Sequence, residues 1–100
     1  MRKKTYVKLF GWPYQGEIEL FSDDGRRIPV EVKYMRQGWE PNQAIGQAII
    51  FSRVNGAGKA IGACFAVERA SERLQLGSAE RLLRDTLWEK LGIRLCVRKA

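Results

Sequence analysis

Two short segments that alternate polar and apolar residues, joined by an acidic turn, place the strongest constraint on the fold of this chain. They span residues 17–20 and 28–34, and both have the two-residue period of a strand with one buried face. Between them, residues 23–25 read Asp-Asp-Gly, a typical hairpin turn in which the glycine adopts the left-handed conformation. The sequence therefore predicts a β-hairpin with one polar and one apolar face.

The apolar residues of this hairpin also predict its register. They reach a common face only if even-numbered residues pair with even-numbered ones and odd-numbered residues with odd-numbered ones. A three-residue loop over residues 23–25 produces this pairing. Ile18 then lies beside Val30, and Glu17 lies beside Glu31. Glu19 becomes the diagonal neighbour of Glu31, roughly 5–8 Å away across the strands.

The polar face collects the carboxylates of Glu17, Glu19 and Glu31 together with the amine of Lys33. Facing carboxylates destabilise a sheet, and a cation between them relieves the repulsion; hard oxygen ligands of this kind suit Mg²⁺ or Mn²⁺. The alternative is a solvated polar face on which Lys33 neutralises a neighbouring glutamate, because alternating charges are common on exposed sheet faces. On composition alone, the solvated face is the simpler interpretation.

The remaining pattern predicts two helices and three further strands. Residues 5–12, 59–68 and 93–98 are predicted strands, residues 41–53 and 79–91 are predicted helices, and Ser78 is the predicted N-cap of the second helix. Residues 11–16 are predicted to be a turn-rich connection and residues 70–76 a polar link. The apolar run at 59–68 is typical of a central strand covered on both faces.

The element order βββαβαβ predicts an α/β fold, also describable as an α+β mixed sheet. The first three strands form an antiparallel meander, and two crossovers then lead to parallel neighbours. At 100 residues, the chain has the length of a single domain.

Composition limits the chemistry. The chain carries 18 Lys and Arg against 11 Asp and Glu, a net charge of +7, and it has no histidine. The positive charge favours binding to a polyanion such as nucleic acid, or it serves solubility alone. The absence of histidine excludes Ser-His-Asp and Cys-His catalytic centres and metal sites with histidine ligands. Without a membrane-spanning run, a signal peptide or enough cysteines for a secreted scaffold, we expect a cytoplasmic protein without membrane contacts.

The hairpin resembles the core of the PD-(D/E)XK nuclease superfamily, which includes restriction endonucleases and Holliday-junction resolvases. The signature is an acidic residue, a glycine-bearing turn and then Glu-x-Lys, here Glu19, Gly25 and Glu31-Val32-Lys33. The next segment reads Asn-Gln-Ala-Ile-Gly-Gln and is similar to a family helix whose glutamine faces the metal site in several branches. The resemblance covers residues 5–68 and implies a restriction-endonuclease-like core with central sheet and flanking helices.

This resemblance implies Mg²⁺- or Mn²⁺-dependent hydrolysis of phosphodiester bonds. It points to a DNA endonuclease in repair, recombination or the processing of phage and mobile elements. Glu19 and Glu31 would ligate the metal, with the backbone carbonyl of Val32 as a further ligand. Lys33 would hold the attacking water and stabilise charge on phosphorus. Gln47 would hydrogen-bond water or phosphate, or be an ordinary helix-surface amide.

Further residues have secondary expected roles. Glu17 would bind a second metal or orient Lys33, although a solvent-facing strand residue is the simpler interpretation. Gln43 lies one helical turn before Gln47 and is a weaker candidate. The expected phosphate-binding residues are Arg26, Arg27, Arg36 and Arg53. The aromatic residues expected in loops, which either stack on bases or cap a small core, are Trp12, Tyr14 and Trp39.

Two departures from the family pattern keep alternatives open. Glu19 stands where the family usually has aspartate, and only residues 1–4 precede the first predicted strand, where the family usually has a helix. The chain would then be a minimal domain, a homodimer that completes its layer, or a fragment. The alternative functions are a catalytically inactive nucleic-acid-binding module with the same fold, and a protein-interaction domain whose basic charge is incidental.

Overall fold

The computed structural model describes the backbone of residues 2–54 and 56–100, and the side chains of these ranges except residues 2–7 and 14–18. Over these residues the chain forms five strands, three α-helices and one π-helical turn. In chain order they are β1 (Arg2–Leu9), β2 (Trp12–Phe21), β3 (Arg27–Met35), α1 (Glu40–Val54), β4 (Ala60–Ala66), α2 (Glu68–Arg73), α3 (Ser78–Thr86), the π-helical turn (Leu87–Leu91) and β5 (Ile93–Lys99).

All five strands form one mixed sheet in the order β1-β2-β3-β4-β5. The pairs β1–β2 and β2–β3 are antiparallel, whereas β3–β4 and β4–β5 are parallel. Helix α1 connects β3 to β4, and the remaining helices connect β4 to β5. The predicted α/β mixed sheet, with its meander and two crossovers, is therefore confirmed.

The predicted hairpin register is also confirmed. Ile18 pairs with Val30, and Gly25 has the left-handed φ of 82° that the three-residue loop requires. The loop closes where the N–H of Ser22 donates to the carbonyl of Arg26 at 2.9 Å. Loop length and apolar alternation together select this pairing, because a shift by one residue would move every apolar side chain to the other face.

The predicted connection at residues 11–16 is wrong, because β2 already begins at Trp12. The turn consists of Phe10 and Gly11, whose φ angles of 54° and 80° are both positive, as in a type I′ hairpin. Phenylalanine is an unusual residue in such a turn, so the local signal is weak. Pro13 and Gly16 both pair with β1. They precede Ile18, where the pairing of β2 with β3 begins. Strand positions away from the centre of a sheet tolerate both residue types.

The second crossover differs from the prediction in two details. Its predicted polar link contains α2, a six-residue helix in which only Ala70 is buried, so it lacks the apolar stripe that marks longer helices. The N-cap of α3 is Gly77 rather than Ser78. The N–H of Gly77 donates to Glu80 Oε2 at 3.0 Å, which secures the start of the helix without a capping side chain.

The helices pack on one face of the sheet, which we call the helix-covered face and define by Ala60, Cys64 and Ala66 of β4. A core cluster joins Ala60 to Ala48 of α1 and Leu87 of the π-helical turn, and a second cluster joins Ala66 to α2. Strands β3, β4 and β5 succeed one another in one direction, so right-handed crossovers place both connections on the same face.

The alternate residues of β4, on the opposite face, are only half-buried. They are Ile61, Ala63 and Phe65. The expectation of a central strand covered on both faces is therefore wrong for the second face, which is partly open. Its nearly continuous apolar sequence does not distinguish a strand with two packed faces from one whose second face is partly open.

Candidate functional site

Glu19 and Glu31 both lie on the helix-covered face. Glu31 pairs with Gly62 of β4, and a Cβ atom at Gly62 would lie 3.6 Å from the Cβ atom of Ala44 in α1. Glu19 pairs with Pro29, two residues before Glu31 in the same strand. The two glutamates are therefore diagonal neighbours, about 7 Å apart across the strands.

Both carboxylates are removed from solvent. The exposed fraction is 3% for Glu19 and 0% for Glu31, so the interpretation as a solvated polar face is wrong for these two residues. Burial of charge is costly unless the charge is paired. Arg27 meets part of this requirement, because its Nε atom lies 3.6 Å from Glu19 Oε1.

Lys33 extends the same arrangement along β3. It is half-buried, two residues beyond Glu31, and it pairs with Cys64 on the helix-covered face. The ion pairs among the described residues do not include Lys33. The expected ion pair of Lys33 with Glu31 is therefore not formed, and the alternative pair with Glu17 lies outside the described side chains.

The environment of Cys64 reports on the charges nearby. Desolvation by burial raises the pKa of this thiol to about 11, the carboxylate of Glu40 raises it further, and the amine of Lys33 opposes the rise. The charges of Glu40 and Lys33 therefore act on the same point of the helix-covered face.

Gln47 lies on the flank of α1 that faces the glutamates. Ile45 and Ile49 pack against the cluster that contains β5, and at about 100° per residue Gln47 lies on the other flank, toward β3. Its Oε1 atom is buried and accepts no hydrogen bond from a described residue. Such an acceptor costs about 1–3 kcal/mol, and a water or ligand that donates to it removes this cost.

The other predicted site residues divide into three cases. Gln43, one turn earlier on α1, has an exposed side chain. Glu17 lies in β2, but its side chain is outside the described residues. Val32 lies two positions past the last β2–β3 pair, Ile18 with Val30, so its main-chain groups are beyond that ladder.

The carboxylates of Glu19 and Glu31 and the carbonyl of Val32 are oxygen donors, which suit a hard, partly hydrated metal ion. Among the residues whose side chains are described, His, Cys, Asp and Glu form no group of three or more that could hold a metal. Two carboxylates and one carbonyl are the donor set typical of Mg²⁺, which keeps several waters and shares phosphate oxygens with its substrate. The arrangement suits Mg²⁺ bound together with a phosphate better than a closed protein cage.

Each of the four predicted phosphate-binding arginines contacts the protein itself. The partners are Asp24 for Arg26 at 3.2 Å, Glu19 for Arg27 at 3.6 Å, Glu68 for Arg36 at 3.5 Å, and the carbonyl of Leu91 for Arg53 at 2.8 Å. Arg53 also donates to Ser52 Oγ at 2.9 Å. Its guanidinium thus connects the end of α1 to the π-helical turn, a structural role that the sequence does not indicate.

Glu40 is a residue of this region that the sequence pattern did not single out. Its carboxylate accepts main-chain N–H bonds from Arg36 at 3.1 Å, Gln37 at 3.2 Å and Gly38 at 2.9 Å. Desolvation alone would raise the pKa of Glu40, but these hydrogen bonds outweigh it and lower the pKa from 4.5 to about 2. An acidic residue directly before Pro41, at a predicted helix start, was the available signal.

Trp12 and Trp39, two of the three aromatic residues expected in loops, are too exposed to cap a small core. Trp12 begins β2 and is 70% exposed, and Trp39, in the loop before α1, is 55% exposed. The side chain of Tyr14 is outside the described residues. Trp88 packs against the guanidinium of Arg94, whose Cζ lies 4.5 Å from the ring centroid.

Comparisons with protein-family models, with curated proteins and with solved structures give no match to this chain. Among its described residues, no helix combines the length and the apolar character needed to cross a membrane. The residues and their geometry are therefore the basis of any functional proposal.

Proposed function

We propose that this protein is a metal-dependent nuclease of the PD-(D/E)XK type that hydrolyses phosphodiester bonds of DNA. The observation that carries the proposal is the burial of Glu19 and Glu31, side by side on the helix-covered face, with Lys33 on the same face. Two buried carboxylates on adjacent strands are costly for stability alone, so a role in cation binding accounts for them better than a structural role.

The element order supports a restriction-endonuclease-like core. A three-strand meander, a crossover helix and a parallel fourth strand run from β1 to β4. The pairing of β2, β3 and β4 supports this assignment, because it puts Glu19, Glu31 and Lys33 on one face of the sheet.

Each residue of the proposed site has its own role in phosphodiester hydrolysis. Glu19 and Glu31, with the carbonyl of Val32, would hold Mg²⁺, which when bound polarises a phosphoryl oxygen and lowers the pKa of a water. Lys33 orients the attacking water and stabilises the negative charge that develops on the phosphoryl group. Gln47 accepts a hydrogen bond from that water at its buried Oε1 atom. Arg27 offsets part of the charge of the carboxylate pair.

The test is a cleavage assay with Mg²⁺ or Mn²⁺ on single-stranded, duplex and branched DNA. We expect Lys33→Met and Glu31→Gln each to lower the cleavage rate by about 10²-fold or more, the range seen when one electrostatic group is removed from an active site. Lys90→Met and Glu72→Gln, at exposed positions of the π-helical turn and α2, are the matched controls. Unchanged cleavage by both site variants, with circular dichroism like that of the unsubstituted protein, would contradict the assignment.

The second candidate is a catalytically inactive nucleic-acid-binding module with the same fold. The ion pair between Arg27 and Glu19 favours it, because a fixed guanidinium already balances a carboxylate that would otherwise bind metal. Nucleic-acid binding without cleavage in either metal would support this candidate over the nuclease.

A further inference from the structure

A cleft of about 1000 Å³ lies at the carboxyl ends of the parallel strands, beyond the site described above. The loop after β3, α2 and α3 form its walls, and the end of β3 and the middle of β5 form its floor. In open α/β sheets this edge is the usual place of ligand sites. The volume is at the upper end of the range for small-molecule pockets.

The floor of this cleft is apolar. The apolar side chains that line it include Met35, Leu74, Leu83, Leu95 and Val97. Helix α3 has no buried residue, and Leu83, which it directs to the cleft, is 46% exposed. A ligand that occupied the cleft would therefore gain contact with apolar surface that the fold leaves open.

The walls carry an excess of positive charge. Arg36, Arg69, Arg73 and Arg84 line the cleft together with Glu68 and Glu80. Arg36 pairs with Glu68 at 3.5 Å, and Glu80 accepts the N–H of Gly77. The ion pairs of the described residues leave out Arg69, Arg73 and Arg84, so three guanidinium groups are available to an anion.

The cleft begins at Met35, next to the proposed catalytic site along β3. Met35 follows Lys33 by two residues on the same face of β3, a rise of about 7 Å, which is close to the separation of neighbouring phosphates in an extended nucleic-acid strand. Three backbone hydrogen bonds to Glu40 hold the loop after β3 in place. One wall of the cleft is thus preorganised beside the catalytic lysine.

We propose that this cleft holds an unpaired nucleotide adjacent to the scissile phosphate, and that the substrate is therefore single-stranded or branched nucleic acid. The apolar floor takes the base and sugar, and the three arginines take the flanking phosphates or stack on the base. A base paired within a continuous duplex is not free to enter. The inference rests on the proposed nuclease function, because that function defines the scissile phosphate next to which the nucleotide lies.

The test compares the affinities of a single-stranded oligonucleotide and of a duplex of the same sequence, by fluorescence anisotropy at fixed salt in EDTA. The double variant Arg73→Gln/Arg84→Gln removes two charges from the cleft. Arg81→Gln/Arg98→Gln removes two charges from exposed positions outside it, on α3 and β5. We expect the cleft variant to bind the single strand about tenfold more weakly, and to lose its preference over duplex, whereas the control retains that preference.

A second pair of variants separates the apolar floor from the charge. Leu83→Ser changes a residue that lines the cleft, whereas Leu82→Ser changes its neighbour on α3, which is 69% exposed and outside the cleft. We expect only Leu83→Ser to weaken single-strand binding. Equal losses in both members of each pair, or a preference of the unsubstituted protein for duplex, would overturn the inference.

Failure of this inference can be told apart from failure of the proposed function, because binding is measured without metal and cleavage is not needed. Retained single-strand preference without cleavage in Mg²⁺ or Mn²⁺ would refute the nuclease and leave the cleft as a binding site. Cleavage that is equally fast on single strand and duplex, and unaffected by the cleft variants, would refute the cleft and leave the nuclease.

Discussion

At the scale of single residues, the buried polar groups of the helix-covered side are the most informative feature. Glu19 and Glu31 are both buried, and the Oε1 atom of Gln47 accepts no hydrogen bond from a described residue. A fold selected for stability alone would replace such groups by apolar side chains, since burying them is costly. Their presence in the core is the reason for placing the proposed site here.

We predict that Gln47→Leu separates stability from activity. The substitution removes a buried acceptor that costs about 1–3 kcal/mol when unsatisfied, so the free energy of unfolding in urea should stay equal or rise by about 1 kcal/mol. DNA cleavage should fall, because the attacking water loses a hydrogen-bond acceptor. Gln43→Leu, at an exposed position of α1, is the control for both measurements. A clear loss of stability in Gln47→Leu would show that the amide has a structural role.

At the scale of the elements, Glu40 organises the passage from β3 into α1. Its carboxylate accepts three consecutive main-chain N–H groups, a concave arrangement that also binds free anions in other proteins. The helix start itself was predictable, because Pro41 suits the first turn. The three hydrogen bonds were not, because they depend on the turn that the chain makes after Met35.

We predict that this contribution of Glu40 to stability depends on pH. Because folding lowers the pKa of Glu40 from 4.5 to about 2, the stabilisation is complete above pH 4.5 and is lost as pH falls toward 2. Glu40→Gln should lower the midpoint of thermal unfolding at pH 7, and the difference from the unsubstituted protein should shrink as the pH approaches 2. A difference that stays constant over this range would show that charge is not the cause; Glu72→Gln is the exposed control.

At the scale of the whole molecule, the sheet is covered by helices on one side. Val30 and Tyr34 of the hairpin lie on the other side with Ile61, Ala63 and Phe65 of β4, and there Tyr34 is 59% exposed and Phe65 is half-buried. The homodimer that the sequence analysis considered stays a prediction. The consequence for function is that Glu19, Glu31 and Lys33, rather than Val30 and Tyr34, lie on the helix-covered face.

We predict that metal binding stabilises the whole fold. A cation that binds only the native state at ten times its dissociation constant adds about 1.4 kcal/mol to the free energy of unfolding, which raises the melting temperature of a domain of this size by about 5–10 °C. Differential scanning fluorimetry with increasing Mg²⁺ or Mn²⁺ should show this rise. The double variant Glu19→Gln/Glu31→Gln should not respond, and an equal response of both proteins would mean that the metal binds elsewhere.

The sequence by itself determined the hairpin, its register and the two helices that carry or flank the site, because alternation, loop length and helix periodicity are local properties. The β1–β2 turn and the N-cap of α3 were not predicted, because Phe10 and Gly77 are weak local signals for these features. Only the tertiary structure decided which face of the sheet the helices cover, because this depends on the order and handedness of the crossovers. That choice puts Glu19 and Glu31 on the helix-covered face and opens the arginine-lined cleft beyond Met35.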